Sequence, residues 1–149
     1  IENYTIIKKE LEDDGVVFVS QTDTEVIVHL FEKNLSILND EFKAFEKTIT
    51  QLEGAYAILL ITKSSQETIF FAKNGSPLLV GIDANDKYFA SSDTPVIGYC
   101  SDVNYFEDGD YGYVNKDSLT IFGKDAKQKE PILKKLPTNK LSAQKNGYR

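Results

Sequence analysis

The spacing of apolar residues changes once along this chain, at Gly54, and that change constrains the fold more than any other feature. Before it, apolar residues recur three and four apart. After it they come in short blocks cut by Gly, Asn, Asp and Pro. Residues 2–14 carry Ile6, Ile7 and Leu11 on one face and stop at Gly15, which predicts a helix with a glycine end. Residues 15–19 read as a compact strand. Thr22 starts a second helix through about Glu32 or Lys33, with Val26, Ile27, Leu30 and Phe31 on its buried side. Residues 40–52 form a third, carrying Phe42, Phe45, Ile49 and Leu52, and Gly54 closes it.

Beyond Gly54 the blocks have strand length. Residues 55–62 are nearly all apolar, the pattern of a strand covered on both faces. Strands follow at 68–72, 78–82 and 88–91, then a meander of hairpins at 104–106, 111–114 and 119–122. Helices first and mostly antiparallel strands later predict an α+β fold. The sequence divides at residue 123. Residues 124–149 are rich in Lys, contain Pro131 and Pro137, and scatter their apolar residues, as a linker or an extended segment packed on something else would.

Charge and composition exclude several classes of function. A net charge of −6 argues against nucleic acid or an anionic membrane as partner. The longest apolar runs are too short to cross a bilayer, and no secretory signal opens the chain. Cys100 is the only cysteine, so neither an internal disulfide nor a multi-cysteine metal site is expected, and a cytoplasmic setting fits. There is no Met, even at position 1, so the chain is expected to be a processed product or an internal piece of a longer one.

The most informative motif is Ser20-Gln21-Thr22-Asp23-Thr24-Glu25-Val26, where a strand end meets a helix start and backbone N–H groups converge. Two readings stand. Thr22 and Glu25 form a capping box, with Asp23 in the first turn favoured by the helix dipole. Alternatively, Asp23 projects into a pocket and grips a cationic group such as an amino-acid ammonium. His29 has no cysteine or carboxylate at a spacing that suggests a dyad, and reads as a hydrogen-bonded core or boundary residue. Cys100 reads as a half-buried small residue without a basic neighbour. Glu107-Asp108-Gly109-Asp110 lacks the ligand spacing of a calcium loop and reads as a hairpin turn. Residues 124–135 read as a solvated basic stretch. Neither a phosphate-cradling loop nor a Ser/His/Asp constellation is present, so local chemistry alone does not reveal an enzyme.

The order of motifs carries a stronger signal. Ile1-Glu2-Asn3-Tyr4, then Gly15 through Ser20, Thr22 through Ile27 with His29-Leu30, Gly54-Ala55-Tyr56-Ala57, Gly75-Ser76-Pro77-Leu78, Ser92-Asp93, residues 106–110 and Tyr148-Arg149 together resemble one family. It is the glutaminase domain of the glutamine–fructose-6-phosphate aminotransferases (glucosamine-6-phosphate synthases). The resemblance implies an N-terminal-nucleophile hydrolase fold, a four-layer αββα sandwich with mostly antiparallel sheets, here as a partial domain over residues 1–123. Residues 124–149 would then lead toward a sugar-isomerase domain that binds fructose 6-phosphate.

In that family an N-terminal cysteine attacks the side-chain amide of L-glutamine, an Asn-Gly segment supplies oxyanion contacts, and an arginine holds the substrate carboxylate. All three lie outside this chain, so the resemblance implies that residues 1–149 alone are inactive and that the missing N-terminal part of the domain is a partner. Asp23 matches the aspartate that binds the glutamine α-ammonium, with Thr22 and Glu25 as helix-cap support. No catalytic residue falls within the chain, and no cofactor or metal is implied. The full-length parent is expected to be a homodimer. Stripped of its N-terminal part, the piece is expected to expose strand edges and apolar faces and to associate with itself.

One departure is Lys73, where the family usually has an arginine two residues before the Gly-Ser-Pro turn. Two alternatives stay open. One is a related amidotransferase, of amidophosphoribosyltransferase or asparagine synthetase type. The other is a non-catalytic α+β ligand-binding module.

Overall fold

The three helical patterns before Gly54 become three helices: α1 (Tyr4–Asp13), α2 (Glu25–Leu38) and α3 (Glu41–Thr50). They belong to a first compact unit, Ile1–Tyr56, of a computed structural model that describes residues 1–137. The Tyr148-Arg149 likeness and the end of the 124–149 segment lie outside the described residues. Within this unit α2 packs against both α1 and α3. Ile7 and Leu11, then Val26, Leu30 and Phe31, then Phe45 and Ile49 are buried, each burial stabilising by about 1.5–3 kcal/mol.

Helix α3 begins where the Asp40 carboxylate accepts the Lys43 N–H at 2.9 Å, a cap contributing about 1 kcal/mol. Helix α2 runs to Leu38 rather than stopping at Glu32 or Lys33. Tertiary partners carry it on. Lys33 reaches Asp14 at 2.8 Å, and buried Asn34 donates to Thr48 Oγ1 and Gln51 Oε1, both at 2.9 Å. Asn39, left-handed at φ 53°, ends the helix by donating to the Leu35 carbonyl.

Residues 15–19, expected as a strand, have no ladder partner among the described residues. Their alternation survives: Val16 and Phe18 are partly covered, whereas Val17 and Val19 are 78% and 89% exposed. Gly54, at φ 100°, lets the chain close against the start of α1, since a Cβ there would stand 2.7 Å from Glu2 Cγ.

From Ala57 a second unit follows. Its first sheet has the order β1 (Tyr56–Leu60), β2 (Ile69–Asn74), β6 (Tyr111–Val114), β7 (Leu119–Phe122), β8 (Gln128–Lys129). Its second has the order β4 (Lys87–Ala90), β3 (Leu79–Ile82), β5 (Asp102–Tyr105), β9 (Lys134–Lys135). From β2 onward the pairings are antiparallel. Phe71 of the first sheet meets Val80 and Phe89 of the second, with Leu78, Phe106 and Ile121 completing the layer between them. The Phe71 and Phe106 rings lie 4.4 Å apart. Gly112 stands opposite both Phe71 and Ile121, and a Cβ there would fall 1.9 Å from the Thr120 carbonyl oxygen.

The α+β expectation holds, with two further corrections in detail. Residues 55–62 do not give a strand covered on both faces. β1 ends the sheet order, only Ile58 within it is buried, and Leu59 and Ile61 are 47% and 62% exposed. The segment after Gly123 adds a short strand to each sheet, and Lys129 is no merely solvated cation. It donates to Asp110 Oδ1 at 2.8 Å and Glu107 Oε2 at 3.2 Å, and Asp110 is 3% exposed.

Candidate functional site

Asp23 occupies the turn just before α2. Its Oδ2 accepts from the Ile1 α-ammonium at 2.8 Å, and its side chain is 40% exposed. That ammonium holds the Asp23 carboxyl below the ordinary carboxylate value, with the Asp23 and Thr24 amides adding to the shift and partial burial opposing it.

Thr22 and Glu25 do not form the reciprocal capping box. Helix α2 begins at Glu25 with Thr24 as its cap residue, and no side chain caps it. Thr22 instead donates its N–H to Ser20 Oγ at 3.3 Å, and the two hydroxyls are 2.9 Å apart. Glu25 turns back toward the extended segment. One oxygen accepts the Ser20 N–H at 2.7 Å and the Ser20 hydroxyl; the other accepts the Val19 N–H at 2.9 Å. The physical reason is the missing ladder: among the described residues those two amides have no strand partner, so a carboxylate supplies the acceptors. The Ser20 hydroxyl first, then His29 and the two amides, push the Glu25 carboxyl down to about 2.

His29 does have a carboxylate partner, contrary to the reading above. Its Nε2 lies 2.9 Å from Glu25 Oε2, one helical turn away. The spacing Glu25-x-x-x-His29 was the signal available in the sequence. The other side of the ring takes Phe18 edge-on, with centroids 4.8 Å apart, and Lys8 Nζ stands 5.2 Å over the Phe18 ring. Ser20, Thr22, Glu25 and His29 thus form one network at the head of α2, and Asp23 is next to it in the chain.

The remaining candidates lie in the second unit and serve its own structure. Lys73 Nζ bonds Asp108 Oδ1, and the Gly75 N–H donates to the same oxygen at 2.7 Å. Lys73 chiefly, then the Gly75 amide, holds the Asp108 carboxyl below its ordinary value. A single carboxylate oxygen thus receives both donors, so at this position Lys braces a turn. Cys100 is buried, and burial pushes its thiol up, away from a reactive thiolate. Among the described residues no group of three or more His, Cys, Asp or Glu side chains could hold a metal ion. Among them, too, no helix is long and apolar enough to cross a membrane. A depression of about 280 Å³ lies over Ile69 and Val114, where Lys87 Nζ donates to the Lys116 carbonyl; it contains none of the predicted site residues.

Residues 1–97 match the family model described as a glutamine amidotransferase domain. Among curated relatives, a glutamine–fructose-6-phosphate aminotransferase (isomerizing) of Campylobacter jejuni is 48% identical, over all of this chain and 25% of that protein. Relatives of the same name from Fusobacterium nucleatum and Thermotoga maritima are each 38% identical, over 99% and 100% of this chain and 24% of theirs. The chain thus spans about a quarter of the length of these relatives. A solved structure of glutamine phosphoribosylpyrophosphate amidotransferase from B. subtilis, complexed with ADP and GMP, aligns with a TM-score of 0.62. It does so at 21% identity, over 92% of this chain and 27% of that one. That likeness shows the fold, an α+β arrangement of the N-terminal-nucleophile type.

Proposed function

Because the chain belongs to the glutamine amidotransferase domain family, we propose that it forms part of a glutaminase domain in which Asp23 takes the α-ammonium of L-glutamine. The reaction served is hydrolysis of the side-chain amide: glutamine and water give glutamate and ammonia. The ammonia acceptor we infer is fructose 6-phosphate, held by a sugar-isomerase domain elsewhere in a full-length, homodimeric, cytoplasmic protein, with glucosamine 6-phosphate as the product. The inference rests on relatives of that name aligning over the whole chain.

One observation carries the reading of the site. The Asp23 carboxylate is 40% exposed at the positive end of α2, which favours its ionised form. Glutamine would bring an ammonium to that carboxylate. Thr22 and Glu25 support the site on either side of Asp23, Thr22 through the Ser20 hydroxyl and Glu25 through the Val19 and Ser20 amides. Cys100 is buried and takes no part in this reading.

The test is steady-state glutaminase kinetics of full-length Asp23→Asn. Asn keeps the size and an acceptor but loses the charge. A charge-assisted bond at a site this exposed is worth about 1.4 kcal/mol after solvent screening, so the glutamine KM should rise about tenfold. An unchanged KM would overturn the assignment.

A further inference from the structure

We propose that His29, acting through Glu25, is a positioning residue that sets where the Asp23 carboxylate stands and so tunes recognition of the substrate α-ammonium. This rests on the Asp23 reading above. Among the described residues, 16–20 approach α2 without a strand ladder. At their start the Val16 N–H donates to the Leu11 carbonyl at 3.0 Å. At their end the Glu25 carboxylate gathers the Val19 and Ser20 amides and the Ser20 hydroxyl. Ser20 Oγ then takes the Thr22 N–H, and Asp23 is the next residue. The Asp23 carbonyl also accepts the Val26 N–H of α2 at 3.3 Å, so the Glu25 carboxylate fixes the side from which the chain arrives at Asp23.

His29 fixes that carboxylate from the helix side. It touches the approaching segment as well, because Phe18 packs edge-on against its ring. One side chain thus holds both the acceptor, Glu25, and the segment that the acceptor binds. The charged groups around the ring are Glu25 on its own helix and Lys8 of α1 beyond Phe18. His29 contacts no ligand in this scheme, so its effect must appear in ammonium recognition and not in bond-making.

The experiment uses the full-length protein and two ligands, glutamine and 4-carbamoylbutanoate, which is glutamine without its α-ammonium. His29→Phe keeps a ring against Phe18 but removes the donor to Glu25. His29→Gln restores a donor. For His29→Phe we expect the glutamine KM to rise about three- to tenfold with kcat within about twofold of the parent, and for His29→Gln to recover most of that loss. Competitive inhibition by 4-carbamoylbutanoate should be unchanged in both, because it has no ammonium to misplace. Equal weakening of both ligands, or an unaltered glutamine KM, overturns the inference. Asp23→Asn run alongside separates the two levels of argument. If it raises the glutamine KM while His29→Phe does not, the Asp23 reading stands and the positioning role falls. If it has no effect, both fall.

Discussion

Asn34 offers a sharp test of how the helical unit is held together, because two substitutions of similar shape should behave in opposite ways. Its amide donates to Thr48 Oγ1 and to Gln51 Oε1 at 2.9 Å each, and the residue is 2% exposed. The Thr48 hydroxyl has already committed its one proton to the Ala44 carbonyl at 2.7 Å, so toward Asn34 it can only accept. Asn34→Asp replaces two donors by a carboxylate facing that acceptor. Two lost hydrogen bonds at about 1 kcal/mol each, plus a buried charge without a partner, give a loss of about 3–4 kcal/mol at neutral pH. Asn34→Leu leaves Thr48 bonded to Ala44 and the exposed Gln51 free to meet water, and should cost about 1 kcal/mol or less.

The introduced acid would have a folded-state pKa raised above its unfolded value of about 3.9, so its penalty grows as pH rises through that range. Thermal unfolding by far-UV circular dichroism, which here reports chiefly on the helices, reads all of this. At about 3 °C per kcal/mol, the Asp variant should melt about 10 °C below the parent near pH 7 and recover a good part of that near pH 4. The Leu variant should stay within about 3 °C. An Asp variant as stable as the parent at neutral pH, or a Leu variant equally damaged, would refute the accounting.

Two further outcomes follow from other parts of the molecule. Gly112→Ala should break the β6–β7 ladder, since its Cβ would sit 1.9 Å from a backbone oxygen that no side-chain rotation can move; a loss of about 3 kcal/mol or more in urea unfolding is expected, and a near-neutral result would contradict the register. The Glu25 carboxyl, lowered to about 2 from an ordinary 4.5, stabilises the folded head of α2 above about pH 4.5, and that contribution disappears as pH falls toward 2. The Val19 and Ser20 amide proton shifts should therefore titrate with a midpoint near 2, and a midpoint near 4.5 would show that the carboxylate does not hold those amides in solution.

Much of this architecture was legible in the sequence, and the parts that were not share a cause. Helices α1 to α3 follow from apolar spacing that each segment carries within itself. The strands after Gly54 were recognisable for the same reason. Asp23 stood out because its position before an apolar helix is a local property. What spacing could not reveal is which neighbour covers a face. Residues 55–62 look buried on both sides, yet β1 stands at a sheet edge. Residues 16–19 alternate like a strand but meet a glutamate in place of a ladder. Helix α2 outlasts its expected end because Lys33 and Asn34 find partners in distant segments. The Glu25–His29 pair was within reach of a sequence reading, since four residues is one helical turn. The capping-box pattern gives Glu25 a competing local role, which masks the pair.

The strands after Gly123 have a practical bearing on how this protein is handled. Within a few residues the chain leaves β8 on one sheet and enters β9 on the other, like a stitch drawn through two layers of cloth. Ending an expressed version at residue 123, the natural choice from composition alone, would unpick both layers at once. It would also strip Lys129 from Asp110 and leave a carboxylate walled in with no counterion. Both short strands therefore belong with the sheets they extend, lysines included.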